Sequence, residues 1–227
     1  MFQHRRRVTS AIGAFLFVAI CATAPQARGA VGDCTPGNPL MPEAEMFATN
    51  NTDTIADPAD PRLQDQLQPF ESQVDSTVLA NAALPVGSDL VHGIYWSEDM
   101  QQLTFESSRE FHLACVGDDE LTHIAEDVAR RFDQESVLIF SYRPDGGPPG
   151  DSFIADVPGV DQRRFFDALK ADPDARTRLG GGSISQDGSL VLVASDRDAD
   201  VAKRVVAASG GVLDMSTVRQ GTSRFVP

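Results

Sequence analysis

The sequence predicts an α+β fold: an antiparallel or mixed sheet with amphipathic helices on one face, preceded by an extended amino-terminal arm. Three observations carry that expectation. Short strand-like runs recur from Leu90 to Val218, separated by turn residues. Between them, Leu121, Ile124, Ala125, Val128, Ala129 and Phe132 recur at helical spacing and make one apolar stripe. Asp187-Gly188 stands between two apolar runs as a type I′ turn signal. The order β-α-β, β-α-β-β-α-β fits either two ferredoxin-like halves or one enlarged sheet, and the pattern does not choose between them. Residues 1–30 are expected to be a signal peptide, 31–85 an extended arm with one weak helix, and 86–227 the α+β domain.

The elements follow in order. Residues 31–62 carry Pro36, Pro39, Pro42, Pro58 and Pro61 among Asn, Thr and Asp, with no helical or strand period. Residues 63–84 are weakly helical, with a break at Pro69. Residues 90–96 (LVHGIYW) and 101–107 form a hairpin about Ser97-Glu98-Asp99. A separate strand is expected at 110–116 (EFHLACV), where Phe111, Leu113 and Cys115 share a face. Asp118, Asp119 and Glu120 place carboxylates at the start of the striped helix, where they complement its free amides and dipole. Residues 136–142 (SVLIFSY) are a strand, and 144–150 (PDGGPPG) can only be loop. A strand at 152–157, a helix near 161–170 and a hairpin of 183–186 with 189–194 follow. A helix at 198–208 stops at Gly210-Gly211, and residues 212–218 are the last main strand expected.

The compartment is read from the amino end. Arg5, Arg6 and Arg7 precede an apolar run over residues 11–24, which is followed by PQARGA. A cationic start, an apolar segment and small residues are the parts of a secretory signal. The run is shorter than the roughly 20 residues that span a bilayer stably. Cleavage after Gly29 or Ala30 is favoured over Ala24, because Pro25 would sit just past the earlier site. The protein is therefore expected to be secreted or periplasmic, with no stable membrane span after cleavage. Removing residues 1–30 takes four of the 19 basic residues and none of the 33 acidic ones, leaving a formal charge of −18. Such a surface repels phosphate backbones and anionic lipid, so nucleic acid is excluded as a partner. Cys21 leaves with the signal, and the remaining pair, Cys34 and Cys115, is expected to form a disulfide in an oxidising compartment. Closing a loop of about 80 residues, the bridge would constrain the unfolded chain by about 4 kcal/mol.

Candidate sites are few. Asp196, Asp198 and Asp200 alternate like the opening of a calcium loop, but Val201 and Ala207 stand where an EF-hand needs Gly and Glu. They are the candidate metal residues, with an acidic helix start as the simpler reading. Tyr95 and Trp96 at a strand end are the candidate binding residues, since aromatic rings stack on apolar ligand faces. His123, Glu126 and Asp127 share a helix face without further ligands nearby. Gly150-Asp151-Ser152-Phe153 has the form of a serine-nucleophile turn, yet no histidine follows His123 to serve as its base. Gly180-Gly181-Gly182-Ser183 lacks the lysine and the helix of a phosphate loop. His92 and His112 lie on expected strands that could bring them together.

No catalytic residue can be named, and no cofactor is expected. The first functional expectation is a non-enzymatic exported module that binds a protein or an envelope component. The alternative is an exported hydrolase or calcium-dependent enzyme using clustered carboxylates. Convergence of two or more of Asp151, Ser152, His92, His112 and His123 in one cleft would favour the enzyme.

Overall fold

The computed structural model describes residues 42–143 and 150–227; residues 1–30, Cys34 and the 144–149 part of the expected loop lie outside them. Eight strands and five α-helices are described: β1 (Glu43–Ala48), α1 (Gln68–Ala80), β2 (Leu84–Ser97), β3 (Gln102–Ala114), α2 (Asp118–Arg131), β4 (Val137–Tyr142), β5 (Ser152–Val157), α3 (Gln162–Ala171), α4 (Pro173–Arg178), β6 (Gly181–Ser185), β7 (Leu190–Ser195), α5 (Ala199–Ala208) and β8 (Arg219–Val226).

These strands close into an antiparallel barrel in the order β1-β3-β2-β6-β7-β5-β8-β4, with β4 returning to β1. The expected antiparallel or mixed sheet with helices on one face, open to two ferredoxin-like halves, is corrected accordingly. Within each half the strands run β4-β1-β3-β2 and β8-β5-β7-β6. The halves join where β2 meets β6 and where β4 meets β8. The physical reason is the edge. A four-stranded half sheet would leave β2, β4, β6 and β8 with rows of unpaired backbone groups, and pairing them across the seams removes every edge.

Alternation along the strands sets two faces. Outward, Met46, Phe111, Leu113 and Ile139 pack under α1 and α2 against Val74, Ile124 and Val128. A second outer core holds Ile94, Phe153 and Leu192 under α3 and α5, against Phe165, Leu169 and Val205. Each such side chain removed from water contributes about 1.5–3 kcal/mol. The inward face is different. Its apolar cluster is only Val91, Phe140, Ile154 and Val191, with Phe47, Tyr142 and Val193 beside it. The rest of the lumen is polar, so the main apolar cores lie between wall and helices.

Three sequence expectations change for this reason. Residues 43–48, read as part of the arm, form β1, the wall strand between β3 and β4. Its Ala44, Met46 and Ala48 do alternate, but buried Glu45 breaks the apolar signal. The expected strands at 101–107 and 110–116 merge into one continuous strand, β3, whose inward side is polar from Gln102 to His112. The last strand is β8, polar on both faces up to Arg224 and apolar only at Phe225 and Val226, whereas residues 214–217 make a turn beside buried Leu213. Pro69 sits in the first turn of α1, where its missing N–H costs no hydrogen bond. Among the described residues, no helix is long and apolar enough to cross a membrane.

Cys115 ends β3 with a left-handed backbone, φ 59°, and its N–H donates to the Pro42 carbonyl at 2.8 Å. Pro42 is eight residues from Cys34, so the chain running back from it is long enough to return to Cys115. Titration of the denatured, unreduced chain lacking residues 1–30 should find no reactive thiol; two reactive thiols would end the proposed Cys34–Cys115 bridge.

Candidate functional site

Along β3 the inward positions are Thr104, Glu106, Ser108, Glu110 and His112, a polar column running from one mouth of the barrel into its lumen. The pleat puts alternate residues on one face, and register does the rest. Glu45 of β1 stands directly opposite His112, and Glu110 is its diagonal neighbour. One donor atom from each of Glu45, Glu110 and His112 lies within 4.8 Å of the others. Arg219 of β8 reaches over the Tyr142 ring, with its guanidinium carbon 5.1 Å from the ring centroid, and also meets the Tyr142 hydroxyl. It lies 2.8 Å from Glu45 Oε1 and 2.8 Å from Asp156 Oδ2. His112 lies 3.7 Å from Glu45 Oε1 through Nδ1 and 3.1 Å from Asp89 Oδ2 through Nε2.

Charge balance inside the barrel is unequal. Glu45 is 0% and Glu110 4% exposed, and neither Glu45 oxygen nor Glu110 Oε1 has a hydrogen-bond partner. Arg219 therefore attracts Glu45 by proximity without aiming an N–H at it. Burial alone would raise the Glu45 carboxyl, but the nearby His112 and Glu110 side chains and the charge of Arg219 bring it below its usual range. Burial, reinforced by the nearness and charge of Glu45, drives the Glu110 carboxyl strongly upward. The two acids thus hold one proton between them, and their titration belongs to the pair. The adjacent Glu45 carboxylate and, on the far side of the ring, Asp89 raise His112. Such a group of carboxylates and imidazole can store a proton or ligate a cation.

A cavity of about 360 Å³ opens at the mouth where the column begins. Phe47, Tyr95, Glu106, Leu138 and Phe225 line it. Phe225 is 69% exposed. Segment 49–55 borders this mouth, held by the Thr49 hydroxyl donating to the Ser107 carbonyl at 2.8 Å and by a bridge from Ile55 to Phe105. Burial raises the Glu106 carboxyl, against the hydrogen bond it accepts from Ser108. The Tyr95 and Ser183 hydroxyls lie 3.0 Å apart, and burial pushes the Tyr95 phenol up.

The sequence candidates are placed as follows. Tyr95 and Trp96 face opposite ways and form no common platform. Trp96 points outward, with the Arg176 guanidinium 4.5 Å from its ring centroid. Asp198 and Asp200 converge on Arg178, which donates to them at 2.7 and 3.1 Å, while Asp196 opens the short turn before α5. Ser152 faces the lumen, where it hydrogen-bonds Asp151 and Ser223 rather than a histidine. His92 lies on the outward face of β2 beside Leu90 and Ile94, so it does not meet His112. His123 stands 3.5 Å from Glu126 on exposed helix surface. Gly181 and Gly182 are strand residues in β6. Sequence reasoning missed Glu45, Glu106, Glu110 and Arg219. The available signal was a charged or hydroxyl residue at every second place of residues 104–112, between Leu103, Phe105, Phe111 and Leu113.

No protein-family model, no curated protein and no solved structure matches this chain.

Proposed function

We propose that this chain is a non-enzymatic exported binding module that seats a cationic, apolar-stemmed group of a protein or envelope component in the open mouth of its barrel. The observation that carries this reading is the chemistry of the mouth. Asp53, Glu106 and Glu135 line it together with Phe47, Tyr95 and Phe225, and among the described residues no Lys, Arg or His lines it. Asp53 already pairs with Arg62 at 2.7 Å, which leaves Glu106 and Glu135 for an incoming cation. The aromatic rings supply the apolar contact and a cation–π face. The −18 charge expected after export attracts cations over a longer range.

Calorimetry with 2-phenylethylamine and with 3-phenylpropionate, matched in size and opposite in charge, tests the reading. The amine should bind and the carboxylate should not. Glu106→Gln should weaken the amine about 10-fold, the worth of one charge-assisted hydrogen bond. Glu106 must lose its proton to pair with an ammonium group, and burial places that loss above the range of an exposed glutamate. Amine affinity should therefore rise with pH through that elevated range and fall below it. Equal binding of both probes, or unchanged affinity in Glu106→Gln, overturns the proposal.

The alternative, an exported hydrolase or calcium-dependent enzyme using clustered carboxylates, has one observation in its favour: Glu45, Glu110 and His112 do meet in the lumen. Glu45 and Glu110 are buried while His112 is one-third exposed, and the Asp198 and Asp200 carboxylates are engaged by Arg178.

A further inference from the structure

We infer that Glu45, Glu110 and His112 form a binding site for a borderline divalent transition ion of the zinc class inside the barrel. The inference uses other residues than the mouth and stands or falls separately from the ligand proposed there.

The donor set comes first. Two carboxylates and one imidazole, each offering an atom within 4.8 Å of the others, supply three ligands and leave a fourth position for water. Zinc bonds of about 2.0–2.2 Å put tetrahedral donors roughly 3.5 Å apart, so the two glutamate side chains need to close by about 1 Å. The flexible ends of two glutamates can do this without moving backbone. Calcium would require six to eight oxygens and tolerates imidazole poorly, which points away from it.

Two independent features point to a ligand. Neither oxygen of Glu45 nor Oε1 of Glu110, all buried, has a hydrogen-bond partner, and the Arg219 ion pair reaches Glu45 Oε1 alone, so Glu45 Oε2 and Glu110 Oε1 are left facing a ligand position. His112 is oriented from behind as well. Its Nε2 lies 3.1 Å from the Asp89 carboxylate and donates to it, and Nδ1, which faces Glu45, becomes a ligand once it gives up its own proton to the incoming ion. A carboxylate holding the far nitrogen is the usual outer partner of a metal-bound histidine.

The charges fit as well. Facing the site are Glu45 from β1, Asp89 from β2, Glu110 and His112 from β3, Tyr142 from β4, Asp156 from β5 and Arg219 from β8. Among the described residues, four carboxyl groups, two of them sharing a proton that the metal would displace, thus face one guanidinium and one imidazole, and a dication offsets the surplus. Arg219 is the one competitor, 2.8 Å from Glu45 Oε1. It has a second seat on Asp156 and Tyr142, so it can yield that oxygen and remain bound.

The test is calorimetric titration of the chain, dialysed against EDTA, with Zn²⁺ alone, and with Ca²⁺ for comparison. One zinc per chain should bind, with a rise in melting temperature that calcium does not reproduce. Glu110→Gln and His112→Asn should each lose at least about 100-fold in zinc affinity, the upper end of what removing even an outer partner costs. If either fails to fold, Asp89→Asn, altering an exposed residue, should still cost about 10–100-fold as an outer-partner change. Asp200→Asn, at the helix start, should leave zinc affinity as it was. Absence of stoichiometric heat, unchanged affinity in Asp89→Asn and His112→Asn, or loss of binding in Asp200→Asn overturns the site.

Discussion

Replacing Arg219 with methionine is expected to destabilise the protein by about 3–5 kcal/mol, the cost of stranding a buried charge after removing its partner. Glu45 has no exposed surface, and Arg219 is the guanidinium that faces it across the lumen. Methionine keeps much of the apolar stem, so loss of packing contributes little. The variant also loses the contacts with Asp156 and Tyr142, whose worth is smaller because Asp156 and Arg219 are partly exposed. Urea unfolding of the metal-free protein measures the effect. Adding Glu45→Gln to Arg219→Met should return most of the lost stability, since neither charge then remains to be compensated. A double variant as unstable as the single one would show that Arg219 acts through packing instead.

The second large effect lies at a seam of the barrel. Gly221 pairs with Tyr142 on β4 and with Ser152 on β5, at the point where β8 joins the two halves. A Cβ built there would stand 2.2 Å from the Ser141 carbonyl oxygen and 2.6 Å from the Phe140 ring. Backbone on one side and a fully buried ring on the other leave no flexible neighbour to yield. Gly221→Ala should therefore cost about 3 kcal/mol or more, the upper range of overpacking. For a chain of this size that lowers the melting temperature by roughly 6–12 °C, measurable by calorimetry. Gly87→Ala is the control, because an added Cβ there meets nothing within 4 Å; an equal loss in both variants would refute the seam argument. The other seam has the same device: a Cβ at Gly181 would fall 2.2 Å from the Ile94 carbonyl oxygen.

Legibility varied from element to element for physical reasons. The α2 stripe was readable because one face of that helix meets a core and the other meets water, which imposes the period. The hairpin of β6 and β7 was readable from Asp187-Gly188, but Gly188 alone of the two has positive φ, 84°, so the turn is not the expected type I′; Gly188 N–H instead donates to the Ser185 carbonyl. β3 was broken in two because its inward side chains are polar while Ser107 and Arg109 interrupt the outward apolar ones. Ser107 there donates to the Asp65 carbonyl, and Arg109 donates to Ser88 and the Gln66 carbonyl, polar contacts under a loop that no periodicity announces. β8 was missed for the same cause. Its inward Arg219, Gly221 and Ser223 serve the lumen and the seam rather than an apolar core.

Local rules written in the chain determined the alternation of strands with helices, the helix stripes and the tightest turn, and they made export the expectation for the amino end. Tertiary structure alone decided that the sheet closes, because pairing β2 with β6 and β4 with β8 joins residues far apart in the chain and carries no local signature. It also decided which strand face is core and which is lumen, since a period of two defines two faces without saying what each will meet. Glu45, Glu110, His112 and Arg219 become one site only when that closure brings β1, β3 and β8 around a common interior.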